Sequence, residues 1–523
     1  MSNVPGTYKQ AARSANVDAW QTAMETEMKA LKENDVFSVV PLPESKKLVG
    51  SRWVYSVKDK PDGSILHKAR FVAQGFSQEK GSDYSDTYSP TVKMSTVRML
   101  IQFAAEYQMP VHQLDVKTAY LNAPIDCEVY IRPPEGFSEE SIGGQQMVWK
   151  LNKSLYGLKQ SGRNWNIVLT NFFTSNGFQQ SKIDPCLFVK LDEKNAAFIA
   201  IWVDDIIITA TSDSLICSIK DLLKNRFKMT DLGLIKWFLG IEFDQSEDGI
   251  SMCQSRYLKG VLERFDMKDC KPRTTPSELK LDDYDHPAEN SADDVTKYRE
   301  IVGSLIYAMM CSRPDLAFIV TKLSQNLANP SQGDWITTKH VLRYIKGTLE
   351  KKLMYTKSQH GLEIVGYSDS DWASAKDRRS TTGYCFSLNQ QGPPISWKSK
   401  KQHTIALSTC EAEYMALTAA TQEAIFLKML SKDFGLITTE PIQIYGDNQG
   451  SLQLAKNPVV NDRSKHIDIK HHFIREKCND GTINLTHVST NENVADVMTK
   501  AVSRGKLNFF DSSLFGHSQQ FTS

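Results

Sequence analysis

Residues 196–210 read AAFIAIWVDDIIITA, two apolar segments separated by Asp204 and Asp205. Because neighbouring residues of a strand point to opposite faces, a tight hairpin is needed to bring both carboxylates near a shared metal ion. A solvated surface turn is the alternative interpretation, but the flanks are too apolar for it, and burying two carboxylates without a cation is costly. The two carboxylates also exclude a membrane span in this run, the longest apolar one of the chain.

A third carboxylate, Asp115, ends a short apolar strand predicted at 111–115 and precedes a predicted helix. Alone it is equally well explained as a helix cap, because Asp is a favoured cap residue. Together with Asp204 and Asp205 it gives three carboxylates, which suit two hard divalent cations that take oxygen ligands and bridge to phosphates.

Residues 52–76 read RWVYSVKDKPDGSILHKARFVAQGF, which predicts two strands joined by a tight turn at Pro61-Asp62-Gly63. The segment from Lys46 to Arg70 carries seven Lys or Arg residues against two Asp or Glu residues. This hairpin is therefore basic, although the whole chain is not.

Composition limits the class of protein. The chain has 523 residues, 41% of them hydrophobic and 24% charged, with a net charge of +1. These values indicate about three soluble globular domains and exclude a disordered or globally basic chain. The nine cysteines are odd in number and lack Cys-x-x-Cys spacing. They argue against a disulfide framework and a structural zinc site, and favour a reducing compartment.

The pattern changes from mainly helical to strands followed by helices near Gly361. Asp369 and Asp371 lie two residues apart on a predicted strand and therefore point to one face. Ser408 and Glu411 have capping-box spacing, which predicts a helix start with Glu413 in its second turn. Asp447 follows an apolar strand, and Asp496 lies in the first turns of a predicted helix. Each acid alone is more simply a cap or a solvated side chain, but carboxylates at strand ends and helix starts can converge on two metals.

Several motifs carry a resemblance to a known family. They are KARFVAQGF at 68–76, QLDVKTAYL at 113–121, SLYGLKQ at 154–160, VDD at 203–205, DLG at 231–233, FLGIE at 238–242, GSLIY at 303–307, RPD at 313–315, SDWA at 370–373 and CEAEY at 410–414. The chain resembles, from about Trp20 to about Ala501, the reverse transcriptase–ribonuclease H portion of a copia-type long-terminal-repeat retrotransposon polyprotein.

The resemblance implies an α+β and α/β fold: a right-hand polymerase with fingers, palm and thumb, a connection region, and a ribonuclease H-like α/β domain. The expected segments are a flexible N-terminus at 1–17, fingers and palm at 18–245, thumb and connection at 246–360, the ribonuclease H-like domain at 361–505, and a C-terminal tail at 506–523.

The resemblance also implies roles for residues of the polymerase part. Asp115, Asp204 and Asp205 resemble the metal-binding triad, and Arg70, with Lys68, resembles the group that contacts the nucleotide triphosphate; Lys58 and Lys60 are further candidates. Tyr120 resembles the ring that excludes a ribose 2′-hydroxyl, with a core aromatic as the equal alternative. Gln160 resembles a residue that lines the nucleotide pocket.

In the C-terminal part the resemblance implies a ribonuclease H set of Asp369, Glu413, Asp447 and Asp496, with Asp371 and Glu411 ranked second. His487 resembles the family's mobile histidine, with a histidine that merely ends a strand as the alternative. Residues 465–472 are interpreted as a phosphate-facing segment. Residues 376–401 carry six Lys or Arg against one Asp and are a candidate surface for an RNA–DNA hybrid.

The implied function is an RNA-directed DNA polymerase, a nucleotidyltransferase, with ribonuclease H endonuclease activity on RNA–DNA hybrids. The expected cofactor is Mg²⁺, two ions per active site, with Mn²⁺ as the alternative. Expected partners are an RNA template, a DNA primer, the hybrid and deoxynucleoside triphosphates, and no membrane. The expected location is intracellular, cytoplasmic or in a virus-like particle, with nuclear access for the element.

The alternative is a decayed or co-opted copy that binds nucleic acid without catalysis. Trp202 stands where the family usually has Tyr, and Gly162 stands where it has Pro. An indole cannot copy the acceptor role of a phenol hydroxyl, and Gly is more permissive than Pro. All seven expected acidic residues are nevertheless present, which favours activity. No protease, capsid or integrase motif is recognised, and the sequence leaves open a fragment of a longer polyprotein or a truncated copy.

Overall fold

The computed structural model describes residues 4–44, 46–59, 65–137, 146–279, 290–375, 377–390, 392–436, 440–456 and 468–516, with the backbone alone at 58–59 and 468–471. Within these ranges no helix is both long enough and apolar enough to span a bilayer. Two separate hydrophobic cores hold the chain together, a small one in the N-terminal part and a continuous one from Val92 to Phe515.

A six-stranded antiparallel sheet, the palm sheet, lies in the larger core. Its strands follow in the order Met229–Leu234, Val111–Val116, Asp205–Ala210, Ala196–Trp202, Leu187–Leu191 and Gln179–Gln180. The helices Met94–Glu106, Ser161–Ser175 and Asp213–Arg226 contribute buried residues to the same core. Because helices cover the sheet, residues of both faces of the central strands are buried, which explains why these strands read as unbroken apolar runs.

The N-terminal part has its own core. The antiparallel hairpin of Ser51–Asp59 and Ile65–Ala73, the fingers hairpin, packs against the helix Val17–Glu33 through Trp20, Met24 and Phe71. A small sheet joins Phe37–Pro41, Met147–Leu151, Tyr130–Ile131 and Leu48–Val49. The predicted turn at 61–63 lies outside the described residues.

The middle of the chain is mainly helical, as predicted. The helices are Ser255–Arg264, Ala292–Cys311, Ala317–Leu323 and Gln332–Gly347, beside a sheet of Trp237–Phe238, Ile241–Ser246, Gly249–Cys253 and Lys352–Tyr355. Capping boxes at Ser291 with Asp294 and at Ser331 with Asp334 begin two of the helices. The fully buried ion pair of Arg313 with Asp315 lies between them.

The C-terminal part is a mixed five-stranded sheet, here the ribonuclease H-like sheet. Its strands follow in the order Pro394–Lys401, Thr381–Ser387, Val365–Asp371, Ile442–Gly446 and Ile483–His487, the first three antiparallel and the last three parallel. The helices Thr409–Asp433, Gln449–Lys456, Asp468–Asn479 and Asp496–Thr499 accompany it. The predicted fold class, a polymerase followed by a ribonuclease H-like unit, is confirmed.

Three local expectations were wrong. Residues 1–17 were expected to be flexible, yet Tyr8–Ala11 form a helical turn and Ala11 is fully buried in the N-terminal core. The expected tail at 506–523 includes folded residues up to 516, because Arg504–Phe509 and Asp511–Phe515 are helices with Leu514 buried. A helix was expected after the strand of Asp115, yet only a 3₁₀ turn at Ala119–Asn122 follows it.

Candidate active sites

The first acidic site is built on the hairpin between Ala196–Trp202 and Asp205–Ala210. Trp202 pairs with Asp205, so Val203 and Asp204 form the turn. Val203 has φ of 57°, a left-handed conformation that costs a β-branched residue about 1–3 kcal/mol. Two hydrogen bonds hold this turn: Trp165 Nε1 donates to the Val203 carbonyl at 2.7 Å, and the Val116 amide donates to the Asp204 carbonyl at 2.8 Å. The surrounding structure therefore fixes the backbone that carries Asp204.

Register places Asp115 beside this turn. Asp115 and Asp205 are direct antiparallel partners, so their side chains leave the palm sheet on the same face. Gln113 Nε2 donates to Oδ1 of Asp205 at 2.9 Å, which orients that carboxylate. All three carboxylates are half-buried at one end of the sheet.

A basic and aromatic group faces Asp204. The Arg70 guanidinium lies 4.6 Å from the ring centroid of Tyr156, and the rings of Tyr156 and Tyr120 are 5.0 Å apart. Burial and the negative charge of Asp204 raise the pKa of Tyr120, while Arg70 opposes the rise. Arg70, Tyr120 and Asp204 are therefore neighbours, as predicted for a nucleotide site. Sequence reasoning missed Tyr156, although it lies inside a quoted motif.

The other predicted nucleotide-binding residues fare differently. Lys68 lies two residues before Arg70 on the fingers hairpin and so shares its strand face. The side chain of Lys58, and all of Lys60, lie outside the described residues. Gln160 is fully buried, and its amide group donates to the Asp83 carbonyl at 2.8 Å and accepts from Gln78 at 3.1 Å. Gln160 therefore holds the loop of Asp83 in place, and its role at the nucleotide pocket stays a prediction.

The family departure at Gly162 adjoins this pocket. A Cβ atom at Gly162 would lie 2.8 Å from Ser89 Oγ and 3.8 Å from the Tyr120 hydroxyl. The absence of a side chain therefore lets the Ser89 loop approach the helix Ser161–Ser175. Trp202, the other departure, is half-buried and packs against the large core.

The second acidic site is compact. Ligand oxygens of Asp369, Asp447 and Asp496 all lie within 4.8 Å of one another. Tyr367 and Tyr445 are register partners on parallel strands, and Asp369 and Asp447 each follow two residues later. The third ligand, Asp496, can reach the cluster because residue 383, the register partner of Asp369, is glycine. A Cβ atom at Gly383 would lie 2.6 Å from Thr499 and 2.7 Å from Met498. The helix that begins at Asp496 can therefore pack directly over the sheet.

Glu413 borders this cluster from the long helix Thr409–Asp433. Its carboxylate accepts the Ser370 amide at 3.2 Å, and burial together with Asp369 raises its pKa. The pKa of Asp369 rises to about 7, chiefly because of burial, with Asp496 adding to the rise and Lys500 opposing it. Crowded carboxylates of this kind gain from a bound cation.

Two lysines that sequence reasoning missed already counter this charge. Lys500 Nζ lies 2.7 Å from Oδ1 of Asp496 and 3.7 Å from Oδ2 of Asp369. Lys506 Nζ contacts Oδ2 of Asp496 and donates to the Thr490 carbonyl at 2.8 Å. The four-residue spacing of Asp496 and Lys500 could have predicted this ion pair, because residues at that spacing are neighbours on a helix. Lys506 is brought in by tertiary packing of a separate helix.

The rival acids have other contacts. The Glu411 carboxylate accepts the Leu407 amide at 2.7 Å, whereas a capping box would use the amide of Ser408. The Glu411 amide donates to Ser408 Oγ at 3.2 Å. Asp371 is half-buried, and burial raises its pKa while a hydrogen bond from Ser374 lowers it. The group of mutually close ligand oxygens contains Asp369 but neither rival, and Glu413 borders that group through the Ser370 amide, so Asp369 and Glu413 stay the preferred assignments.

The remaining predicted residues lie around this site. His487 is exposed and is the register partner of Gly446, the residue before Asp447. Lys398 and Lys400 are exposed on the edge strand, and Lys401 pairs with Asp377 at 3.0 Å. Residues 376 and 465–467 lie outside the described residues.

Comparison with known proteins identifies relatives over the whole chain. A family model described as reverse transcriptase (RNA-dependent DNA polymerase) matches residues 34–279. The chain is 38% identical over 98% of its length to the retrovirus-related Pol polyprotein from transposon TNT 1-94 of Nicotiana tabacum, of which it spans 39%. It is 30% identical over 59% of its length to a Saccharomyces cerevisiae protein attributed to transposon Ty5-1, which it covers completely.

A solved structure of the foamy viral protease–reverse transcriptase in complex with double-stranded DNA is 13% identical, with a TM-score of 0.49, over 90% of this chain and 70% of that one. The sequence relatives and the family match agree with the motifs and with the acidic hairpin of the palm sheet. The chain belongs to the family of retrovirus-related Pol polyproteins of copia-type retrotransposons and contains their reverse transcriptase domain.

Proposed function

We propose that the chain is an RNA-directed DNA polymerase that also cleaves the RNA strand of RNA–DNA hybrids. A primer 3′-hydroxyl would attack the α-phosphate of a deoxynucleoside triphosphate at the first site, and water would attack an RNA phosphodiester at the second. The observation that carries the proposal is the register of Asp115 against Asp205, with Asp204 in a fixed turn facing Arg70 and Tyr120. The predicted intracellular location belongs to the same proposal.

Both sites have a donor set suited to Mg²⁺ or Mn²⁺, because carboxylate oxygens are the ligands that hard divalent cations prefer. Asp115, Asp204 and Asp205 would hold cations at the first site, and Asp369, Glu413, Asp447 and Asp496 at the second. When bound, two cations per site would supply Lewis-acid stabilisation of the reacting phosphate and activate the attacking oxygen.

At the polymerase site the chain itself would bind and select the nucleotide. The Arg70 guanidinium presents a planar fork that suits a triphosphate, and the Tyr156 ring beneath it limits its orientations. Tyr120, between Asp204 and Tyr156, is positioned to contact the sugar and exclude a 2′-hydroxyl. The strained turn at Val203 keeps the Asp204 backbone fixed while substrate exchanges.

At the ribonuclease site the chain would provide a buried, preorganised acid cluster. Asp496 is surrounded by Lys500 and Lys506, so we assign it to holding this cluster together as well as to binding cations. The Ser370 amide fixes the Glu413 carboxylate, and exposed Lys398 and Lys400 would contact the backbone of a hybrid.

The experiment that tests the proposal measures both activities on one preparation. Primer extension is measured on a homopolymer RNA template with Mg²⁺, and cleavage is measured on a hybrid with labelled RNA. Asp192→Asn is the matched control, since Asp192 is an exposed acid beside the palm sheet that caps its own loop. No extension by the parent would overturn the polymerase assignment and favour the non-catalytic alternative; no cleavage would overturn the ribonuclease assignment.

A further inference from the structure

A buried arginine joins three parts of the molecule. Arg98, on the palm helix Met94–Glu106, is only 5% exposed. Its Nε donates to the Ile395 carbonyl of the ribonuclease H-like sheet at 2.8 Å. Its Nη1 donates to the carbonyls of Met310 and Cys311, at the end of the helix Ala292–Cys311, at 2.8 and 3.1 Å. Arg98 therefore contacts the palm, the middle helices and the ribonuclease H-like unit at once.

The chemistry of this contact is specific to arginine. Among the residues that the structure describes, no carboxylate forms an ion pair with Arg98. Its burial is balanced by carbonyl dipoles, by the Trp397 ring 3.9 Å away and, at longer range, by the negative charge of Glu423. A buried cation without a carboxylate is costly, and only a forked, planar group can reach several carbonyls together. Because burying Arg98 in this way costs free energy of folding, this residue needs a role that an apolar side chain at the same position would not fill.

Further contacts reinforce the same junction. Trp397 Nε1 donates to the Met309 carbonyl at 3.0 Å, and from the helix of Arg98, Gln102 donates to the Thr356 carbonyl at 2.9 Å. Glu106, at the end of that helix, accepts the Ser358 amide at 2.7 Å. The palm helix thus holds both the segment that leads into the ribonuclease H-like unit and the first edge of its sheet.

The far end of the unit is also attached to the palm. Ser181 Oγ donates to Asp433 Oδ2 at 2.5 Å, and the rings of Phe434 and Phe198 stack with centroids 4.9 Å apart. The two ends of the ribonuclease H-like unit therefore contact different parts of the palm. Their apolar residues belong to one continuous core, unlike those of the fingers hairpin.

We propose that Arg98 is a positioning residue that fixes the ribonuclease H-like unit against the palm, so that RNA is cleaved at one set distance behind the primer end. Arg98 contacts none of the predicted catalytic residues, and acts through the docking of the strand that contains Ile395 and Trp397. The inference rests on the proposed function of the two sites, because it concerns their relative placement on one hybrid.

The test uses the full chain and the variant Arg98→Met, which keeps an unbranched apolar stem and removes the guanidinium. Arg299→Met is the matched control, because Arg299 also donates to a carbonyl, that of Leu327 at 2.8 Å, but is exposed and makes this bond within the middle part of the chain. The substrate is 5′-labelled RNA annealed to a shorter DNA primer, without nucleotides, so that the primer end selects the cleavage position.

We expect one dominant RNA product from the parent and from Arg299→Met, and loss of that single product in favour of a ladder from Arg98→Met. Primer extension, and total cleavage of a long hybrid on which the primer end is irrelevant, should stay at the parent level. A folded Arg98→Met protein that still gives the single dominant product overturns the proposal. If Arg98→Met fails to fold, Trp397→Phe is tested in the same assay. An unchanged product pattern for a folded Trp397→Phe protein then overturns the proposal.

Hydrogen exchange on the free protein separates this inference from the proposed function. The Ser358 amide and the amides of the strand Pro394–Lys401 should exchange faster in Arg98→Met than in Arg299→Met. Unchanged exchange overturns the docking role whatever the activities are. A parent that neither extends nor cleaves contradicts the proposed function alone, because exchange still reports on the junction.

Discussion

The two acidic sites differ in how the chain builds them. The polymerase acids lie on the palm sheet, in the large core, whereas the strand of Arg70 packs in the smaller core of the fingers. The acids of the proposed ribonuclease site, Asp369, Glu413, Asp447 and Asp496, come from four elements of a single core. The first site is thus divided between two bodies, and the second is enclosed in one.

This difference has a chemical consequence. A site divided between two cores can admit a nucleotide and then close on it. An enclosed cluster must balance its charge permanently, and here Lys500 and Lys506 and a raised pKa of Asp369 do so. We therefore expect substitutions to separate the two activities, and the loss to depend on which kind of site is changed.

The largest expected effect comes from Asp204→Asn. The side chain keeps its shape and loses its charge at the turn that faces Arg70 and Tyr120, so primer extension should fall about 10²–10³-fold or more. Cleavage of a hybrid should remain near the parent level, because the second site shares no ligand with the first. Steady-state extension on an RNA template measures the change. Extension at the parent rate would show that the metal assignment is wrong.

A comparable loss, in this case of hybrid cleavage at the second site, is expected for Glu413→Gln. Cleavage should fall about 10²-fold, since a charged group is lost from a buried cluster, while extension persists. Glu and Gln have similar helix propensity, so the long helix should survive. Glu411→Gln is the matched control on the same helix, where the carboxylate accepts the Leu407 amide. Normal cleavage by Glu413→Gln and lost cleavage by Glu411→Gln would exchange the two roles.

Much of this arrangement was predictable from local pattern. Apolar runs around Asp204 and Asp205 predicted the hairpin, and strand ends and helix starts predicted the positions of Asp369, Asp447 and Asp496. These predictions succeed because strand and helix periodicity is a local property of the chain. Their assignment as catalytic ligands stays a prediction.

What failed depends on packing between distant segments. The hydrogen bond from the Gln160 amide to the loop that contains Asp83 was not predicted, because those two residues are far apart in the sequence. Lys506 lies in a segment expected to be a tail, and only the fold of its helix brings it to Asp496. The polar residues near the N-terminus suggested fraying, although Ala11 completes the core of the fingers. The spacing of apolar residues along the sequence carries no information about contacts between such distant segments.

Tyr120→Ala tests whether the first site, which is divided between two cores, selects the sugar of the nucleotide. If the ring contacts the sugar, its removal should raise ribonucleotide incorporation relative to deoxynucleotide incorporation roughly 10-fold, an effect of one buried contact. The ratio of single-nucleotide incorporation rates with the two sugars measures it. An unchanged ratio in a folded protein would return Tyr120 to the status of a core aromatic packed against Tyr156.

The pH dependence of stability tests the enclosed character of the second site. The pKa of Asp369 is about 7 in the folded protein and near 4 when unfolded, so its protonated form favours folding. This contribution is present below pH 4 and is lost as pH rises towards 7, and a cation should then replace the proton. We expect Mg²⁺ to raise the melting temperature more at pH 8 than at pH 6. Asp369→Asn should lose that pH difference; a difference that persists would assign it to another group.

The smallest expected effect concerns Lys506, which competes with cations for Asp496. Removing its charge with Lys506→Met should strengthen Mn²⁺ binding roughly 2- to 5-fold, the range of a partly exposed ion pair. Lys477→Met is matched to it, since both lysine side chains are 22% exposed and pair with acids, but Lys477 contacts Glu476 and Asp480. Calorimetric titration of the free protein measures the affinity without reliance on activity.

Lys506→Met should also lower the melting temperature without a cation, because Asp496 is fully buried and loses one of its two positive neighbours. Added Mn²⁺ should restore more stability to Lys506→Met than to Lys477→Met, since the cation takes the place of the lost charge. Unchanged Mn²⁺ affinity, with a lower melting temperature that Mn²⁺ does not restore, would make Lys506 a purely structural partner of Asp496. The enclosed site would then owe its charge balance to Lys500 and to the raised pKa values of Asp369 and Glu413.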